Sequence, residues 1–165
     1  MEFFIAEEGV PINLGPDGGS IAYFGSEIDF QYETEAPHGD GIFSAKLPLL
    51  ERSLPFWLYG RNLLFLDAYY LLAETVERGS WSPICSMLIN IHYGQYASLG
   101  QWYNSVIIEE KGIRLRNDFD GSSFFLKIRK NCSGMKSKRS YLHHRTSTSS
   151  KTSLNGRPSL RSDCS

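Results

Sequence analysis

His38 and Asp40 stand two residues apart in the run Pro37-His38-Gly39-Asp40-Gly41, an imidazole and a carboxylate near enough to share a proton or to ligate a metal. No other His or Cys lies at ligand spacing, and glycine-rich loops carry polar side chains because water solvates them, so turn chemistry is the expected role. His92, between Ile91 and Tyr93, reads as a hydrogen-bonded structural histidine. Cys85, with Ile84 and Met87 beside it, reads as a small buried thiol, because a nucleophile needs a base that the sequence does not identify. Glu109-Glu110 and the pair Asp118/Asp120 have the composition of a general acid and base, yet both fall at turns, where solvated carboxylates are ordinary. Gly15 to Gly19 lacks the Lys-Ser/Thr ending of a phosphate loop. The expectation is no catalytic centre, no metal and no cofactor.

What the motifs withhold, the charge distribution supplies. Residues 1–126 carry seventeen Asp and Glu against seven Lys and Arg, about −10, while residues 127–165 carry ten Lys and Arg against the single Asp163, about +9. A split of this size implies an acidic folded body with a basic appendage. Almost all aromatic residues precede residue 126, so the expected domain is 1–130, and 131–165 reads as a basic Ser/Thr-rich tail that cannot bury enough surface to offset its ordering entropy. Its composition fits binding to an acidic surface or nucleic acid, and equally fits read-through translation.

Tyr and Trp are favoured at interfaces, where one end packs and the other hydrogen-bonds. Most of the aromatics should pack the sheet, with those near loops, chiefly Trp81, Tyr96 and Trp102, exposed. The expected function is that of a non-enzymatic binding protein whose acidic body engages a basic protein partner, as an immunity or inhibitor protein does. The residues expected to meet that partner are Glu33, Glu35, Trp81, Tyr96, Trp102, Glu109 and Glu110. The alternative is a nucleic-acid-associated protein acting through the basic tail.

Three cysteines at wide spacing fit neither a disulfide framework nor a zinc site and suggest reduced thiols in a cytoplasmic protein. The apolar patch Phe3-Phe4-Ile5 is flanked by Glu2, Glu7 and Glu8, where a secretory leader needs basic residues. Leu54 to Ala73 is apolar enough to suggest a membrane span, but Arg61 and Asp67 lie inside it, and each costs roughly 2.5–3.5 kcal/mol at a helix centre. A buried core segment and no membrane association are expected.

The elements that would position these residues read mostly as strands. Ser20 to Phe24 is short and apolar, and Ile28, Phe30 and Tyr32 alternate with Asp29, Gln31 and Glu33. Met87, Ile89 and Ile91 share one face. Val106–Ile108, Ile113–Arg116 and Phe124–Ile128 are joined by short Gly-containing loops, which predicts an antiparallel meander. Asn62 to Arg78 is open between a helix, capped by Asn62 and Gly79, and two strands broken at Asp67-Ala68; a single helix over 62–78 is therefore a possible element.

Gly15-Pro16-Asp17-Gly18 followed by Ile21-Ala22-Tyr23, with a weaker copy at Asp67 to Ala73 fifty residues on, resembles the β-propeller repeats of TolB and prolyl-oligopeptidase. The resemblance covers about residues 12–33 and 63–103. It implies a mostly β fold of antiparallel, propeller-blade-like meander sheets, about two blades, and it carries no catalytic residues with it.

Overall fold

The computed structural model describes residues 2–130 and 139–144. They divide into two compact units, the first running to Trp102 and the second beginning at Tyr103. The first unit holds β1 (Glu2–Ile5), β2 (Pro11–Ile12), β3 (Gly19–Tyr23), β4 (Ser26–Glu35), β5 (Gly41–Leu47), β6 (Arg52–Ser53), β7 (Trp57–Tyr59), β8 (Leu63–Phe65), β9 (Tyr70–Val76), β10 (Cys85–Asn90) and β11 (Gln95–Ser98). All eleven belong to one sheet, whose main path is β1-β3-β4-β5-β7-β9-β10-β11. β1 pairs with β3 in parallel and the other ladders are antiparallel. Along that path the eight strands curl through 273°, a half-barrel.

This overturns the propeller-blade reading. A blade is a separate small sheet, whereas here β3 and β9, the strands opened by the two Asp turns, lie in one continuous sheet with β4, β5 and β7 between them. An Asp turn marks the start of a strand without saying which sheet the strand joins.

The possible helix over 62–78 is also absent, and the described residues contain no α-helix. Asn62 has φ 54°, outside the helical region. Asp67 Oδ1 accepts the N–H groups of Tyr69 at 2.8 Å and Tyr70 at 3.0 Å, an Asx turn that reverses the chain between β8 and β9. β9 lies between β7 and β8 on one side and β10 on the other, and Leu71 through Val76 are all buried. A strand covered on both faces loses the period-two pattern, which left the caps Asn62 and Gly79 and the composition to argue for helix.

The concave face encloses the main core, including Ile21, Ile28, Phe30, Phe43, Leu58, Phe65, Leu71 and Ile89. Because side chains alternate along a strand, Tyr59 of β7 points away from this core and packs with Ala36, Ile42 and Val76 in a smaller cluster on the other face. The second unit is β12 (Ser105–Glu109), β13 (Gly112–Arg116), β14 (Ser123–Lys130) and β15 (Arg139–His144), each antiparallel to the next. Its buried residues include Ile113, Leu115, Phe124 and Leu126. Residues 139–144, inside the segment read as a basic tail, thus form a strand; 131–138 and 145–165 lie outside the described residues. No helix among the described residues is long and apolar enough to cross a membrane.

Candidate functional site

Tyr59 is the hub of a charged and aromatic group in the first unit. Its side chain is buried, and its hydroxyl donates to the carbonyl of Trp81 at 2.6 Å. The His38 ring stacks against it at 5.9 Å and 14°, and the Arg61 guanidinium lies over the ring at 4.8 Å. Burial pushes the phenol above its ordinary pKa; Arg61 opposes that rise, while Asp40 and Glu74 add to it.

Arg61 is held between two carboxylates. Its Nε and Nη2 donate to Glu74 Oε2 at 3.0 and 2.9 Å, and its Nη1 donates to Asp40 Oδ2. Asn62 Nδ2 donates to the other Glu74 oxygen at 3.3 Å. His38 Nε2 lies 2.9 Å from Asp40 Oδ2. Glu74 is buried, whereas His38 and Asp40 reach solvent at the β4–β5 turn. One guanidinium facing two carboxylates leaves these three side chains about one charge negative.

No known protein family, curated protein or solved structure matches this chain.

Around this group lie three of the residues singled out in the sequence. The Trp81 indole is 52% exposed, although its backbone is tied to the buried Tyr59. Glu35 precedes Ala36, a member of the Tyr59 cluster, and Glu33 is the extra residue of a bulge between Tyr32 and Thr34. Both glutamates are exposed. Arg61 and Glu74 were missed as a site. Arg61 counted only as an obstacle to a membrane span, and Glu74 was not singled out. The two are thirteen positions apart and meet because β9 returns beside β7.

The other four residues sit elsewhere. Tyr96 is exposed on the edge strand β11 and packs edge-on against Phe56 at 5.0 Å. Trp102 is half-buried, not an exposed loop aromatic. Glu109 and Glu110 belong to the second unit, where Glu109 is paired with Arg114 at 2.6 Å and Glu110 is exposed in the β12–β13 turn.

The remaining candidates have structural partners. His92 Nδ1 is hydrogen-bonded to the Ser26 hydroxyl, with its ring edge-on to Tyr69. Cys85 is buried, its sulfur 3.1 Å from Ser98 Oγ. Asp118 pairs with Arg116 at 3.0 Å, and Asp120 accepts the Ser122 N–H at 2.8 Å. Hydrogen bonds from Ser122 hold the Asp120 carboxyl below its ordinary pKa. Gly15 to Gly19 is a turn closed by Gly18 N–H to Gly15 C=O at 3.1 Å. Among the described residues no group of three or more His, Cys, Asp or Glu is placed to hold a metal ion.

Proposed function

We propose that this chain acts by binding a basic partner protein, through the surface formed by the β4–β5 turn, Glu33, Glu35 and the Trp81 loop. The observation that carries the reading is Trp81: a large aromatic side chain half in water, on a backbone pinned to a buried tyrosine. Such an anchor loses little conformational freedom on binding, and Trp is the residue most enriched among interface hot spots. The setting selects a cationic partner. Residues 1–102 carry thirteen Asp and Glu against four Lys and Arg, about −9, and the Arg61 guanidinium over Tyr59 is already shared by Asp40 and Glu74. Neutralising a basic toxin or nuclease is the special case this physics suits, as in immunity and inhibitor proteins.

Affinity capture from the native host with wild-type protein, Trp81→Ala and a chain truncated after His144, which keeps β15, tests the reading. A basic protein retained by wild type and the truncated chain but lost by Trp81→Ala supports it. Retention of nucleic acid, lost only on truncation, moves the function to the basic segment.

A further inference from the structure

The first unit has a second feature, independent of the Trp81 surface, at its open edge. Among the described residues β1 pairs with β3 alone. Glu2 N–H bonds Gly18 C=O at 3.4 Å and Ala6 N–H bonds Ala22 C=O at 3.0 Å, so the even-numbered peptide groups face β3. Along a strand these groups alternate in direction, which turns the N–H and C=O of Phe3 and Ile5 outward. No strand among the described residues lies against them. These two residues offer two donors and two acceptors to an incoming backbone.

Beside this edge lies an open cleft of about 600 Å³. Phe3 and Ile5 line it, with Ala22, Phe24 and Leu49. The exposures are 64% for Phe3, 79% for Ile5 and 68% for both Phe24 and Leu49, an unusual concentration of bare apolar surface. Among the described residues of the lining Glu27 is the single charged one, and Glu7, just beyond β1, is exposed. Phe24 has φ 46° in the two-residue turn between β3 and β4, a left-handed conformation that favours Asn or Gly. An exposed phenylalanine kept in a strained turn marks a site where the ring is used.

We propose that β1 receives an extended segment of a partner protein by β-strand addition, with apolar side chains at alternate positions seated in the cleft and the intervening basic side chains on the opposite face, beside the exposed Glu2, within the acidic field to which Glu7 and Glu27 add. Charge decides against a second copy of this chain, because each first unit carries about −9 and self-pairing of β1 gathers Glu2 and Glu7 of both copies on one short ladder. The open backbone decides against a small apolar ligand, which leaves the outward N–H and C=O groups unmatched.

The test is fluorescence polarisation of labelled octapeptides with the full-length protein. A peptide alternating Val and Lys is expected to bind saturably, and one alternating Val and Glu, or four Val followed by four Lys, about ten-fold more weakly or worse. Ile5→Pro removes an outward N–H and none of the bonds to β3, so it should abolish binding with the circular dichroism unchanged. If that variant does not fold, Leu49→Asp, outside every ladder, should weaken binding about ten-fold through the cleft alone. Trp81→Ala should leave peptide affinity unaltered, so failure here and failure of the Trp81 reading are separable. Equal binding of the three peptides, or no effect of Ile5→Pro or Leu49→Asp, overturns the proposal. So does a sedimenting dimer dissociated by Ile5→Pro, which would make a second copy the occupant.

Discussion

Gly60→Ala places one methyl group beneath the Tyr59 hub, and its cost follows from distances. A Cβ at residue 60 would stand 2.2 Å from Phe43 Cε2, 2.9 Å from Cδ2 and 3.2 Å from Cζ. Carbon atoms in ordinary contact stay about 3.5–4.0 Å apart, so the ring has to withdraw by more than about 1 Å. It has little room to do so. Phe43 is 1% exposed, and a Cβ at Gly41 would lie 2.9 Å from the same Cε2, so two glycines make the space this ring fills. Overpacking of this kind costs about 1–3 kcal/mol, more than the about 0.4–1 kcal/mol that Gly→Ala contributes by restricting the unfolded chain. For a unit of this size that corresponds to a melting temperature lower by several degrees, about 4–8 °C per kcal/mol. Urea denaturation followed by tryptophan fluorescence measures it. Phe43→Leu in the same chain removes the clashing atoms, so the double variant should be more stable than the sum of its parts by about 0.5–3 kcal/mol. Strict additivity, or a wild-type midpoint for Gly60→Ala, would refute the packing argument.

Three further outcomes are expected. Burial raises the Asp67 carboxyl above its ordinary pKa, while the N–H bonds from Tyr69 and Tyr70 only partly oppose that, so the folded chain binds this proton more tightly than the unfolded chain. Its contribution to stability is then full below about pH 4 and lost as pH rises through the elevated value, so Asp67→Asn should gain on wild type in urea midpoint between pH 4 and 7; parallel curves would contradict this. Gly121, with φ 73° and open space around it, accepts Val only at the cost of backbone strain, and Gly121→Val should lose about 1–3 kcal/mol by the same assay; an unchanged midpoint contradicts the turn geometry. Phe24→Asn relieves about 1–2 kcal/mol of left-handed strain and forfeits about 0.5–1.5 kcal/mol of ring contact with Tyr23, so its stability should change by between about −0.5 and +1.5 kcal/mol while Val-Lys peptide binding falls; a loss beyond about 1 kcal/mol would remove the strain argument.

Local patterns located strands and could not assemble them. The runs at 20–24, 28–32, 86–91 and 106–128 carry alternation or turn residues of their own; the first three fall on β3, β4 and β10, and the last holds β12, β13 and β14. The parallel pairing of β1 with β3, and the sharing of β9 between β7 and β8, join residues distant in sequence and leave no local mark. The Asp17 and Asp67 turns looked like a repeat because any strand entered through an Asp turn looks alike. In the site, His38 and Asp40 were visible as neighbours, whereas Arg61 and Glu74 become a pair only once β9 is placed as a strand beside β7. The aromatics were ranked by closeness to loops, which found Trp81 and misjudged Trp102 because loop proximity does not report what packs over a side chain.

On the proposed function, an acidic surface steers a basic partner onto a tryptophan anchor. Binding kinetics of the captured partner at two salt concentrations, for wild type, Trp81→Ala and the double reversal Glu33→Lys/Glu35→Lys, test it most directly. Rim charges act on the approach, so the reversal should slow association and flatten its salt dependence with dissociation little changed. Loss of the anchor should speed dissociation about thirty-fold, the equivalent of about 2 kcal/mol for a hot spot, with association nearly unchanged. Unaltered association for the charge reversal together with unaltered dissociation for Trp81→Ala would contradict the claim.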